Sequence, residues 1–120
     1  MDTGSVLFSH EFARSAGHVL QSFVLGTEFA VLTDEKCLFI LQLSSEKGCD
    51  SVKVFRNVEC FGPISEFFDW GFVQNDGLLN IVKENAKIAL HPGIKRAFFA
   101  ETKAFLISND SLSTVDWQQK

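Results

Sequence analysis

Tyrosine is absent from this sequence of 120 residues, although it carries 13 Phe and two Trp. Aromatic mass without hydroxyl groups suits a dry core of stacked sheets better than a hydrogen-bonding ligand groove. Cysteines are few: Cys37, Cys49 and Cys60 are odd in number and form no Cys-x-x-Cys pair. That pattern suggests neither a disulfide framework nor a zinc site, and a reducing compartment is the simpler reading. No apolar run approaches the ~18 residues of a membrane span, and the N-terminus lacks a basic stretch followed by an apolar core and a cleavage site. The expected setting is cytoplasmic or nuclear, without membrane insertion. Positive charge is not in excess, since the formal net charge is −4. No global attraction to nucleic acid or anionic lipid follows, and the basic interval Lys83, Lys87, Lys95, Arg96 and Lys103 reads as a solvated face.

Candidate chemistry is equally sparse. Gly-rich phosphate loops, Ser-His-Asp order and metal-ligand spacings are missing. His10, His18 and His91 are scattered, and His91 beside Pro92 reads as a turn histidine rather than a base or ligand. Cys60, next to Phe61-Gly62, has no neighbouring His or cationic cluster in sequence and reads as a small buried hydrophobe. Glu66 and Asp69 flank Phe67-Phe68, but residues three apart on a strand point to opposite faces and do not converge. No enzymatic activity, catalytic residue, cofactor or metal is expected.

What is present is hairpin punctuation. Asp69 to Val73 leads into Gln74-Asn75-Asp76-Gly77, and Leu78 to Val82 leads out. Asp-Gly between apolar runs is a strong hairpin signal, because the turn needs positive φ values that these residues tolerate. The shape recurs around Asp34 and around Asp110, at spacings of 42 and 34 residues. Asn109-Asp110-Ser111 also matches a glycosylation sequon but is more economically a turn. Aspartate in such turns serves its own backbone hydrogen bonds, so Asp34, Asp76 and Asp110 are read as structural.

In chain order the expected strands are Ser5 to Ser9, His18 to Leu25, Glu28 to Thr33, Cys37 to Leu43 and Val52 to Val58. A loop is favoured at His10 to Gly17. Gly62-Pro63 is read as a break, followed by strands at Ile64 to Asp69, Trp70 to Gln74, Leu78 to Lys83 and Ala86 to His91. Pro92-Gly93 breaks the pattern again, and Ile94 to Phe99, Lys103 to Ser108 and Leu112 to Trp117 complete it. This divides the chain into an N-terminal segment, 1–17, and an all-β repeat module, 18–120, with units of about 18–61, 62–92 and 93–120.

Phe23-Val24, Phe67-Phe68 and Phe98-Phe99 fall in one slot of these units, and the Asp turns in another. The spacing of 42 falls within the about 40 to 45 residues of a four-stranded blade and that of 34 just below it, and on this pattern the chain resembles a degenerate array of WD-repeat β-propeller blades over roughly residues 18 to 117. The family's terminal Trp-Asp occurs only as the reversed Val115-Asp116-Trp117. The resemblance implies an antiparallel meander of about three irregular blades, the last one strand short. Such an array leaves apolar faces open, which implies a piece of a longer propeller, assembly with copies of itself, or a partner supplying further blades. In self-assembly, Val6-Leu7-Phe8 would add as the missing strand beside Leu112 to Trp117. The implied work is protein–protein interaction or scaffolding. Phe67, Phe68, Trp70, Phe98, Phe99 and Trp117 are the candidate partner anchors, because aromatic residues dominate interface energetics. The competing reading of the same residues is core between blades. The competing fold is a small closed up-and-down β-barrel binding lipid or another small ligand inside the cell.

Overall fold

The computed structural model describes residues 17–44 and 48–118. The expected strand at Ser5 to Ser9, with Val6, Leu7 and Phe8, lies outside the described residues, as does most of the expected loop at His10 to Gly17. Among the described residues the chain is all-β, without an α-helix, and makes three antiparallel sheets. Sheet A consists of β1 (Val19–Leu25), β2 (Glu28–Thr33), β3 (Leu38–Ser44) and β4 (Gly48–Phe55). Sheet B consists of β5 (Val58–Ile64), β6 (Asp69–Gln74), β7 (Leu78–Ile81) and β8 (Ala86–Ala89). Sheet C consists of β9 (Arg96–Ala100), β10 (Lys103–Ile107) and β11 (Leu112–Asp116).

Every pairing joins strands adjacent in sequence, so each sheet is a simple meander built from local hairpins. The three Asp-bearing turns take the same place in all three, between the second and third strands of each sheet. Asp34 Oδ1 accepts from the His18 backbone N–H at 2.8 Å, and Asp76 Oδ1 accepts from the Leu78 N–H at 3.1 Å. Gly77 supplies the left-handed backbone beside Asp76, with φ +92°. These contacts are the structural duty that turn aspartates perform.

The closed barrel is overturned, because the strands separate into three sheets and do not close on one another. The strand expected at Ile64 to Asp69 is also overturned. The strand there is β5, which runs through Gly62-Pro63, and Ser65–Phe67 form a 3-10 turn instead. Proline in a linear pattern reads as a break, but among the described residues β5 pairs only with β6, and an edge strand tolerates the missing N–H. Likewise the strand expected at Val52 to Val58 is β4, which begins at Gly48 and ends at Phe55. The polar run before it contributes to the strand because pairing with β3 outweighs its turn-like composition.

Sheet B is the middle layer, and its side chains divide between two cores. One face presents Phe61, Trp70 and Phe72 to Leu25, Ala30, Leu32, Leu38 and Ile40 of sheet A and its hairpins. The opposite face presents Cys60, Ile64, Val73, Leu79 and Ile81 to Ala97, Ala104, Leu106 and Trp117. Strand alternation therefore serves two neighbours, which explains why β6 reads as an almost continuous apolar run.

The joint between sheets B and C has a specific shape. Gly62 and Gly71 are cross-strand partners, and the Phe99 ring rests on the bare patch they leave. A methyl group at Gly71 would lie 2.4 Å from that ring. Neither glycine has a positive φ, so both are needed for space rather than for backbone freedom. At the joint with sheet A, Trp70 is fully buried and its indole N–H donates to Glu28 Oε1 at 3.0 Å. Lys83 Nζ stands 2.8 Å from the same oxygen, so the buried carboxylate has both a neutral donor and a counter-charge.

Candidate functional site

Six aromatic residues stood out as anchors, and the structure separates them. Trp70 lies between sheets A and B, whereas Phe99 and Trp117 belong to the core between B and C. The sheet alternation places Phe98 and Phe99 on opposite faces: Phe99 packs inward and Phe98 is 53% exposed. Phe67 and Phe68 occupy the 3-10 turn rather than the strand slot shared by Phe23-Val24 and Phe98-Phe99. Their rings diverge. Phe67 meets Trp117 edge to face at 5.7 Å, and Phe68 turns toward Gly26, in the β1–β2 hairpin.

Phe68 has a left-handed backbone, φ +48°, which is uncommon for a bulky residue and carries strain. Contacts around the turn hold it there. Its carbonyl accepts from Lys83 Nζ, and Asp69 immediately after it is buried. Asp69 Oδ1 accepts from the Trp70 and Lys83 backbone N–H groups, both at 2.7 Å, and Oδ2 accepts from the Glu84 N–H at 3.0 Å. Local sequence reasoning paired Asp69 with Glu66 only to dismiss the pair. The feature it missed is this carboxylate, which ties the start of β6 to the β7–β8 turn; an acidic residue directly before Trp70-Gly71-Phe72 was the available signal.

Among the described residues, three surfaces are candidates for a ligand or partner. The first is the face of sheet C turned away from sheet B. The register aligns Phe98, Phe105 and Thr114 across it, and next to them Arg96, Ile107 and Leu112. Leu112 is 65% exposed and Phe98 is exposed beside the half-buried Phe105 and Ile107. Among the described residues sheet C has three strands, and β11 pairs on one side only.

The second is a groove of about 660 Å³ along the first strands of the sheets. Among the described residues β1, β5 and β9 each pair only with the following strand, and all three line this groove. Leu20 and Phe23 of β1 form one side, Cys60 to Pro63 of β5 the floor, and Phe98 of β9 the other side. Phe23 packs edge to face on Phe61 at 5.4 Å. Lys36, Glu59, Lys95 and Arg96 supply its charges. The third is a smaller cavity of about 400 Å³ between the end of β8 and sheet C, with His91, Ser108 and Ser111 at its polar side.

Cys60 and His91 line different cavities. Burial pushes the Cys60 thiol up from 9.0 to about 12; the negative charge of Glu59 adds to the rise and Lys36 opposes it. The neutral thiol is therefore the form held at neutral pH, consistent with packing rather than nucleophilic duty. Because the folded value is the higher one, the associated stability is fully present below the unfolded value and is lost as pH rises from 9.0 toward about 12. The stability advantage of the natural chain over Cys60→Ala is expected to shrink by about 2 kcal/mol between pH 8 and pH 10.5. Urea midpoints of both proteins at the two pH values measure it; a constant difference would mean that the thiol is not held neutral by burial.

Among the described residues, no three His, Cys, Asp or Glu side chains gather in an arrangement that could hold a metal ion. No described helix is long and apolar enough to cross a membrane. No family model matches the chain, and no curated protein matches it.

Proposed function

We propose that the chain is a β-propeller-like module, similar to about three irregular WD-repeat blades, whose work is protein–protein interaction or scaffolding. The observation that carries this reading is the outward face of sheet C, where Phe98 and Leu112 are exposed beside Phe105 and Ile107. Sheets A and B already demonstrate how such a face is used: apolar side chains from adjacent sheets interleave. A further sheet on the far side of C would extend the same packing, and the free edge of β11 would accept a strand. Copies of this chain or another protein could supply that cover. The free thiols of Cys37 and Cys60 accord with work in the reducing cytoplasm or nucleus.

The test is the solution mass of the purified chain by light scattering, with circular dichroism on the same sample. A discrete dimer or larger ring is expected, and Leu112→Glu should weaken association by about tenfold or more while leaving the β spectrum unchanged. A stable, monodisperse, β-rich monomer would count against the unclosed array.

A further inference from the structure

We propose that the groove along the free edges of β1, β5 and β9 takes an extended acidic peptide segment of a partner protein. An apolar side chain of that segment packs against Phe23 and Phe98, and its carboxylates meet Lys95 and Arg96. The inference takes from the function proposed above only that the ligand is a polypeptide; the groove shares Arg96 and Phe98 with the outward face of sheet C and adds β1 and β5 to them.

Three observations support it. First, the charge in the groove is unbalanced. Lys36 and Glu59 neutralise each other at 3.1 Å, which leaves Lys95 and Arg96 exposed with no ion pair among the described residues. In a chain of net charge −4 this local positive pair selects a negatively charged ligand against the background of the whole molecule. Second, the groove lining also carries exposed apolar side chains: Leu20 is 60% exposed, and Phe23 and Phe98 are exposed beside it. Third, the floor is strand backbone. Among the described residues β5 pairs only with β6, so its other edge has no strand partner and could take an extended chain beside it, although Pro63 lacks an N–H and the Val58 N–H already donates to the Lys36 carbonyl. A polyanion such as nucleic acid would use the two cations but would leave the strand edge of β5 unmatched.

The test uses the full chain and a fluorescein-labelled peptide in which Phe and Leu alternate with Asp and Glu, read by fluorescence anisotropy. The comparison probes are the same peptide with Lys in place of every acidic residue and an oligothymidine of similar charge. Saturable binding of the acidic peptide is expected, at least tenfold tighter than the lysine version and weakened as salt rises. The charge reversal Lys95→Glu with Arg96→Glu should reduce affinity by tenfold or more, and Phe98→Ala severalfold. Both cations are exposed, so the reversed variant should keep its circular dichroism spectrum. Equal binding of acidic and basic peptides, or an affinity indifferent to the charge reversal, overturns the proposal. Tighter binding of oligothymidine than of the acidic peptide overturns it in favour of a polyanion site. Leu112 does not line the groove, so loss of association in Leu112→Glu with intact peptide binding would separate failure of the scaffold reading from failure of this one.

Discussion

Trp70→Ala is expected to lower the unfolding free energy by about 3–5 kcal/mol, the usual cost of removing a large buried aromatic side chain. Against the about 5–15 kcal/mol that holds a typical domain together, that loss leaves little folded protein. The effect should be large for two reasons. Trp70 is fully buried at the joint between sheets A and B, so its removal opens a void between two layers. Its indole also satisfies Glu28, a carboxylate buried at the same joint. Trp70→Phe separates the reasons by keeping most of the ring while removing the donor, and a loss of about 1–3 kcal/mol is expected from the hydrogen bond to a charged partner. Trp117 provides the control. It is buried too, but its indole nitrogen has no hydrogen-bond partner among the described residues, so Trp117→Phe should cost less than Trp70→Phe. Urea denaturation followed by circular dichroism measures all three, and equal losses for the two Trp→Phe variants would remove the Glu28 contact from the account.

Asp69→Ala should cost about 3 kcal/mol or more, since each of several buried donors left without an acceptor costs about 1–3 kcal/mol. The donors are the backbone N–H groups of Trp70, Lys83 and Glu84, and Asp69 itself is only 3% exposed. Asp69→Asn retains one acceptor oxygen and should recover part of the loss. Hydrogen exchange gives a local reading as well: the amides of Lys83 and Glu84 should exchange faster in the alanine variant even under conditions where the fold persists. Stability of Asp69→Ala within about 0.5 kcal/mol of the natural chain would place it among ordinary surface substitutions and refute the role described.

Much of the strand order was legible because the hairpins are local. Asp76-Gly77 between apolar runs gives the β6–β7 turn, and Asp34 and Asp110 mark the corresponding turns of sheets A and C. What failed was reading across the strands. Pro63 looks like a boundary in a linear pattern, yet its position on the free edge of β5 removes the penalty that made it a breaker. Phe67-Phe68 looks equivalent to Phe98-Phe99, but the residues around it fold into a turn latched by Asp69, a contact spanning 14 and 15 residues. The anchors could not be sorted into buried and exposed from sequence, because which of two adjacent Phe residues faces a neighbouring sheet depends on register. The groove was invisible for the same reason: Phe23, Lys36 and Phe98 come from three separate parts of the chain and meet only when the first strands lie together.

The glycine patch under Phe99 gives the row of sheets a property that hydrophobic burial alone does not provide. Apolar faces are mutually interchangeable, and three similar meanders could in principle stack in any order. Gly62 and Gly71 make one side of sheet B a keyway that admits a ring at one height, while Trp70 and Glu28 make the other side a polar latch. The two joints are therefore orthogonal: sheet C cannot replace sheet A against the latch, nor sheet A replace C over the keyway, without a clash or an unpaired carboxylate. Neighbour order is thus written into the joints themselves, independently of the loops that connect them.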